Sequence, residues 1–227
     1  MYKNVKILNP KEHSFYRYMA PDNLFFARTM TYIPISFSEV KHLCCDFPIV
    51  MIYEKEGHST LAILTGDASN QAITKEGKWD GPYVPAFLSR YPFVLVEDEK
   101  EEGTVHLGFD MESGCFSSPE GEPLFDANGK ASEVVSEKLS HLGALHQEMK
   151  VTNAIIDRFA ALDILTESQY SIAYEDKDDR TVGGFWVVDK EKLLALPDET
   201  LVEAMKSGWT ELIELHLLSL KNISKLR

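Results

Sequence analysis

The segment 77–93 gathers amphipathic aromatic side chains around one arginine. The candidate binding residues, each with an apolar body and a polar tip or a charge, are Trp79, Tyr83, Arg90 and Tyr91. Large rigid rings and a forked guanidinium are side chains that carry much of the binding energy at interfaces. Buried rings also serve packing, with an arginine held on loop carbonyls, and that is their more frequent role. We predict a site for a protein partner or a small ligand here, with a core plug as the alternative.

A second set of side chains could ligate a metal, but its spacing is unfavourable. The set consists of His13, His58, His106 and Asp110. His106 and Asp110 share one side of a predicted strand, yet at about 3.3 Å per residue their backbones lie about 13 Å apart. None of the 7 histidines forms the i, i+4 pair of an H-E-x-x-H site. We predict no metal, no cofactor and no catalytic residue; a divergent enzyme, metal-dependent and oxygenase-like, is the alternative.

Motifs that bind phosphate or activate a nucleophile are missing from the sequence. There is no G-x-x-x-x-G-K-[ST] loop, no G-x-G-x-x-G after a strand and no G-x-S-x-G elbow. Cys115 has no sequence-adjacent base that would activate it. Gly183 and Gly184 fall inside a predicted strand, where they indicate a bulge or a close approach of backbone.

Charge and cysteine usage restrict the partners and the compartment. The 36 acidic residues exceed the 23 basic ones by 13, which disfavours binding to nucleic acid backbones. No apolar run approaches the roughly 20 residues that cross a bilayer, and the first residues lack the apolar core of a signal peptide. Cys44, Cys45 and Cys115 cannot all pair within one chain. These features predict a soluble, cytoplasmic protein that does not span a membrane; self-association stays open.

Strands dominate the predicted elements of the first half. Phe25 to Pro34 is strand-like, and Ser36 with Glu39 forms a capping box before a short helix through Cys45. Alternation around polar turns predicts two hairpins, one over 49–64 and one over 93–110. Pro85 starts a short helix that Pro92 stops.

Helices dominate the second half. One runs from Ser132 to about Lys150, with Val135, Leu139, Leu142 and Leu145 as its apolar stripe, and Thr152 starts another that buries residues through Leu165. A third hairpin spans 170–188, and two closing helices, near 198–207 and 209–222, are separated by Gly208. Strands first and helices later predict an α+β fold, with an antiparallel, hairpin-rich N-terminal half and a helical C-terminal half. We expect a single domain over 1–227, with a boundary near 129 as the alternative.

Several short motifs in a fixed order resemble the bacterial SapC family across nearly the whole chain. They are Leu8-Asn9-Pro10, Phe47-Pro48-Ile49-Val50, Gly77-Lys78-Trp79, Tyr83-Val84-Pro85-Ala86, Arg90-Tyr91-Pro92-Phe93, Gly121-Glu122-Pro123-Leu124-Phe125-Asp126, Gly184-Phe185, Val188-Asp189, Leu196-Pro197 and Leu218-Ser219-Leu220-Lys221-Asn222. The order of the matches is more specific than any one motif.

The resemblance implies an accessory part in a bacterial uptake, envelope or modification system. The family takes its name from a surface-layer locus, and its members often lie beside genes for outer-membrane receptors and flavin-dependent tryptophan halogenases. It supplies no established catalytic residues. We therefore predict a non-catalytic binding or accessory protein; a surface-layer component is a further alternative beside the divergent enzyme.

Overall fold

Most strands precede one long helix. A computed structural model describes residues 1–54, 58–98, 101, 103–117, 120–172 and 180–226. The strands are β1 (Val5–Ile7), β2 (Arg17–Tyr18), β3 (Tyr32–Pro34), β4 (Ile49–Glu54), β5 (His58–Leu64), β6 (Phe93–Glu97), β7 (Val105–Asp110), β8 (Phe116–Ser117), β9 (Glu122–Pro123), β10 (Leu165–Ile172) and β11 (Arg180–Val188). The helices are α1 (Pro10–His13), α2 (Val40–Leu43), α3 (Ala86–Ser89), α4 (Glu133–Ala161), α5 (Lys190–Leu194), α6 (Asp198–Lys206) and α7 (Trp209–Ser219).

The largest sheet has five strands in the order β10-β11-β4-β5-β3. Because side chains alternate across a strand, its two faces build two different clusters. One face contributes to a core shared with α4 and α7, made of Ile49, Met51, Leu61, Ile63, Ile156, Phe159, Leu212 and Ile213. The opposite face packs on the C-terminal segment through Val50, Leu64, Tyr170, Phe185 and Leu226. The sheet is therefore covered on both sides.

Two smaller sheets complete the fold, in the orders β1-β7-β6 and β8-β2-β9. Their strands also pair antiparallel. The first contributes Phe93 and Phe109 to a second core cluster, against which α4 packs with Val135 and Leu142. The α+β class predicted from the sequence is confirmed, because antiparallel sheets are combined with separate helices.

Local rules predicted the hairpins and the caps. The three predicted hairpins are present as β4–β5, β6–β7 and β10–β11, and most residues of their turns lie outside the described part of the chain. The capping box of Ser36 and Glu39 is formed as predicted. The register of β10 and β11 shifts between Ser168 and Tyr170, opposite Gly183 and Gly184, which confirms the bulge. Gly208 separates α6 from α7 in the left-handed conformation.

Two predicted elements are wrong. Residues 133–161 form one helix rather than two, because Thr152 does not cap a new helix: its hydroxyl donates to the Glu148 carbonyl 2.8 Å away, and its oxygen accepts from the Phe37 backbone N–H. Leu165, predicted to be helical, starts β10. The strand expected over 25–34 is restricted to β3, because residues 25–27 form a 3-10 turn.

No helix among the described residues combines the length and apolar character needed to cross a bilayer.

Candidate functional site

Trp79 and Tyr83 lie in aromatic contacts at the edge of the first core cluster. The Trp79 ring is 5.4 Å from that of Phe47, and its buried indole nitrogen has no hydrogen-bond partner among the described residues. Tyr83 stacks on His42 with the ring centres 4.8 Å apart. Burial, together with the nearby Glu39 carboxylate, raises the pKa of Tyr83 to about 12. Both rings therefore have a packing role here.

Tyr91 belongs to the second core cluster instead. Its ring stacks on Phe26 at 4.0 Å, and its hydroxyl lies 3.5 Å from an Asp110 carboxylate oxygen. It also lines an open cleft of about 840 Å³ that Lys3, Asp22, Glu112 and other residues enclose. The structure thus separates the tyrosines at 83 and 91 rather than combining them in one site.

Arg90 is a largely buried cation supported by aromatic rings. Its guanidinium carbon lies 3.7 Å from the centre of the Phe87 ring and 5.6 Å from that of Tyr2. No carboxylate among the described residues is within ion-pairing distance, and the buried Nε–H has no hydrogen-bond partner there. Burial lowers the pKa of Arg90, while the Tyr2 hydroxyl beside it opposes that shift. A guanidinium remains protonated in proteins, so the site holds an uncompensated positive charge.

The Tyr2 hydroxyl does not neutralise this charge. It donates a 2.7 Å hydrogen bond to the Phe93 carbonyl. Burial raises the pKa of Tyr2 to about 12, so the phenol stays protonated and neutral near pH 7. The Arg90 charge is therefore in contact with aromatic ring faces and near a neutral oxygen, and no described carboxylate compensates it.

Arg90 lines a cavity of about 250 Å³ between α4 and the strands that face it. The helix contributes one face at i, i+3, i+4, i+7 and i+11 spacing: Leu142, Leu145, His146, Met149 and Asn153. The facing wall is formed by Pro34, Thr60, Phe87, Val94 and Leu95. The cavity therefore has a mixed wall, in which apolar side chains alternate with the polar side chains of Thr60, Arg90, His146 and Asn153.

The charges around this cavity differ from those of the rest of the chain. No aspartate or glutamate among the described residues lines it, although acidic residues outnumber basic ones by 13 in the sequence. The cleft beside Tyr91, by contrast, places the acids Asp22 and Glu112 against a single lysine, Lys3. The Arg90 cavity is thus a locally positive pocket in an acidic protein.

The sequence-based prediction includes Arg90 but not the residues that lie opposite it across the cavity. Among the described residues, no hydrogen bond uses the side chains of His146 or Asn153, so their polar atoms are free to meet a bound molecule. His146 and Asn153 lie at i+4 and i+11 from Leu142, a spacing that places all three on one face of a continuous helix. That spacing could not be interpreted from the sequence, because the predicted break at Thr152 ended the helix before Asn153.

The alternative metal ligands are held in separate contacts. His13 accepts from the Asn9 backbone N–H at 2.9 Å, and His106 lies 2.8 Å from Asp98. The Asp110 carboxylate accepts the backbone N–H groups of residues 3 and 4. The side chain of His58 lies outside the described part. Within that part, no three His, Cys, Asp or Glu side chains converge as a metal site.

A serine and a histidine also meet near Arg90. The Ser89 hydroxyl lies 3.0 Å from His141 Nε2, and both residues are exposed. The same hydroxyl donates to the Ala86 carbonyl at 2.7 Å, so its proton is directed away from the imidazole. A nucleophilic serine must give its proton to the histidine. This contact therefore joins α3 to α4 and lacks the arrangement for nucleophilic attack.

Fold and site together define an α+β protein with a small cavity that one largely buried cation, Arg90, lines. The family model for SapC matches residues 8–226, nearly the whole chain. The chain belongs to the SapC family. A search of curated proteins and of solved structures finds no significant match.

Proposed function

We propose that the protein is a non-catalytic binding protein and that the cavity beside Arg90 holds a small molecule. One observation carries the proposal: a largely buried guanidinium, with no carboxylate partner in the part of the chain that the structure describes, lines a cavity of about 250 Å³. An unpaired buried charge destabilises a fold. Pairing of that charge with a ligand of opposite charge would therefore contribute to the free energy of binding. Binding sites for small molecules combine apolar walls with a few polar groups, and the lining of this cavity offers both.

The proposal includes an accessory role for this binding in the cytoplasm. The three cysteines are free thiols, which supports a reducing compartment. Of the four residues predicted at the sequence level, Arg90 is the one proposed to contact the ligand. Trp79, Tyr83 and Tyr91 are proposed to shape the segment through their ring contacts.

Saturation-transfer NMR with apolar fragments of about ten non-hydrogen atoms tests this function. We expect some fragments to bind the wild type and to lose binding in Met149→Trp, whose larger ring fills the cavity. Val151→Trp is the matched control, because Val151 lies on the same helix but is 60% exposed. Equal binding to both variants, or no binding to the wild type, would reject a small-molecule role for this cavity.

A further inference from the structure

We propose that the ligand of the Arg90 cavity is a small monocarboxylate with an apolar body. This inference rests on the proposed function and specifies the chemical class of the ligand. The guanidinium would pair with the carboxylate, and the apolar body would lie along Leu142, Leu145 and Met149 of α4.

The charge of the cavity selects a monoanion. Arg90 supplies one positive charge, and within the described part of the chain no acidic residue lines the cavity to oppose an anion. A carboxylate compensates that charge one to one. A phosphate monoester carries about −1.5 to −2 charges at pH 7, so part of its charge would stay unpaired in an acidic protein. The imidazole of His146 can donate a further hydrogen bond in its neutral form.

The arrangement of Arg90 suits a carboxylate in particular. Its guanidinium lies over the Phe87 ring, which covers one face of the group. The N–H donors of a guanidinium lie in its plane, so stacking leaves them available at the edge. Two parallel N–H groups match the two oxygens of a carboxylate, and such bidentate pairs are among the strong hydrogen bonds in proteins. The Nε–H has no partner among the described residues but is buried from solvent, so the terminal N–H groups are the donors proposed to meet the carboxylate.

The size of the cavity limits the rest of the molecule. At about 30 Å³ per water, its volume corresponds to about eight waters, or to a ligand on the order of ten non-hydrogen atoms. Seven of the eleven described lining residues have apolar side chains, which offer contacts to a ring or a short branched chain.

Isothermal titration calorimetry with phenylacetate and its neutral isostere phenylacetamide tests the inference. The two probes have the same shape and differ in charge. We expect the full-length wild type to bind phenylacetate at least about tenfold more tightly than the amide. Because this ratio is measured on the wild type, the test does not depend on any variant folding.

Two arginine variants assign the preference to one residue. Arg90→Met should abolish the preference for the carboxylate, so that both probes bind with similar affinity. Arg28→Met is the matched control, since Arg28 also lies over a phenylalanine ring, at 5.0 Å from Phe25, but does not line the cavity. This control should keep the preference.

The outcomes separate the inference from the proposed function. Equal binding of both probes to the wild type, with loss in Met149→Trp, would overturn the carboxylate class and leave the binding function in place. Tighter binding of inorganic phosphate than of phenylacetate would also overturn the class. Failure of both probes to bind would overturn the function and the inference together.

Discussion

The guanidinium carbon of Arg90 lies 3.7 Å from the centre of the Phe87 ring, so a π face takes the place that a carboxylate usually has beside a buried arginine. Both residues also line the cavity under α4. A cation on an aromatic face gains about 0.5–2 kcal/mol, which is less than the cost of burying an unpaired charge. The ring contact therefore offsets only part of that cost, and a ligand of opposite charge can offset more of it.

The first prediction concerns the stability of Arg90→Met. The methionine keeps an apolar stem against Phe87 and removes the unpaired charge. We expect the free energy of unfolding at pH 7 to change by less than about 1 kcal/mol, in either direction. Urea denaturation monitored by circular dichroism measures this, with Arg28→Met as the exposed control. A loss of about 3 kcal/mol or more would mean that Arg90 anchors a buried polar network, and would remove the case for a ligand.

Local physics explains which elements could be predicted. The capping box of Ser36 and Glu39 and the bulge at Gly183 and Gly184 depend on neighbouring residues or on one strand pair. The continuity of α4 depends on distant groups instead. Thr152 is a plausible N-cap in the sequence, but its oxygen is occupied by the Phe37 N–H, 115 residues away along the chain.

The candidate site was only partly predictable for the same reason. Arg90 stands out by its type among aromatic residues, and it lines the cavity. That Tyr91 faces a different cleft depends on its stacking with Phe26 and on its contact with Asp110, both distant in sequence. His146 and Asn153 could not be selected from the sequence, because their position in the cavity depends on how α4 packs across β6.

A second prediction concerns Asp110, whose side chain is fully buried. Its carboxylate accepts backbone N–H groups from Lys3 at 3.1 Å, Asn4 at 2.9 Å and Glu112 at 3.1 Å. Removing it in Asp110→Ala leaves these donors unpaired and should cost about 3 kcal/mol. Hydrogen exchange at residues 3 and 4 should accelerate in parallel.

Two further variants, Asp110→Asn and Glu112→Ala, serve as comparisons for the Asp110→Ala measurement. The asparagine keeps one acceptor oxygen, so its effect should lie between those of the wild type and the alanine variant. The Glu112 side chain makes a single exposed contact of 3.4 Å with Asn4, so its loss should change stability by less than about 0.5 kcal/mol. Unchanged exchange at residues 3 and 4 in Asp110→Ala would show that the carboxylate does not hold the N-terminal segment.

A third prediction concerns thiol reactivity. Cys45 is exposed, whereas Cys44 and Cys115 are buried. Burial also raises the pKa of the Cys44 and Cys115 thiols, which lowers their thiolate fraction at pH 8. Iodoacetamide should therefore label the native protein at Cys45 alone and the protein in urea at all three positions. Mass spectrometry of tryptic peptides gives the sites, and Cys45→Ser provides the native blank. Rapid native labelling of Cys115 would contradict the burial of that side chain.

The last prediction is a pH dependence that arises from His216. This fully buried imidazole links α7 to two strands: Nδ1 lies 2.8 Å from the Ile49 carbonyl and Nε2 accepts from the Val188 N–H at 3.1 Å. The first contact needs a proton on Nδ1 and the second an unprotonated Nε2, so the neutral tautomer is selected. Burial lowers the pKa of His216 from 6.5 to about 4.

The sign of the effect follows from that depressed pKa. Above pH 6.5 the imidazole is neutral in both the folded and the unfolded chain, and its contribution to stability is complete. Between pH 6.5 and 4 the unfolded chain binds a proton that the folded chain excludes, so the free energy of unfolding falls by about 3 kcal/mol.

His216→Gln, whose amide offers one donor and one acceptor, should lack this component of the slope. His141→Gln, at an exposed position, should retain it. Urea denaturation at pH 7, 6, 5 and 4 measures the difference between the variants, in which the titration of the carboxylates cancels. Equal slopes for the wild type and His216→Gln would show that the imidazole is protonated inside the fold.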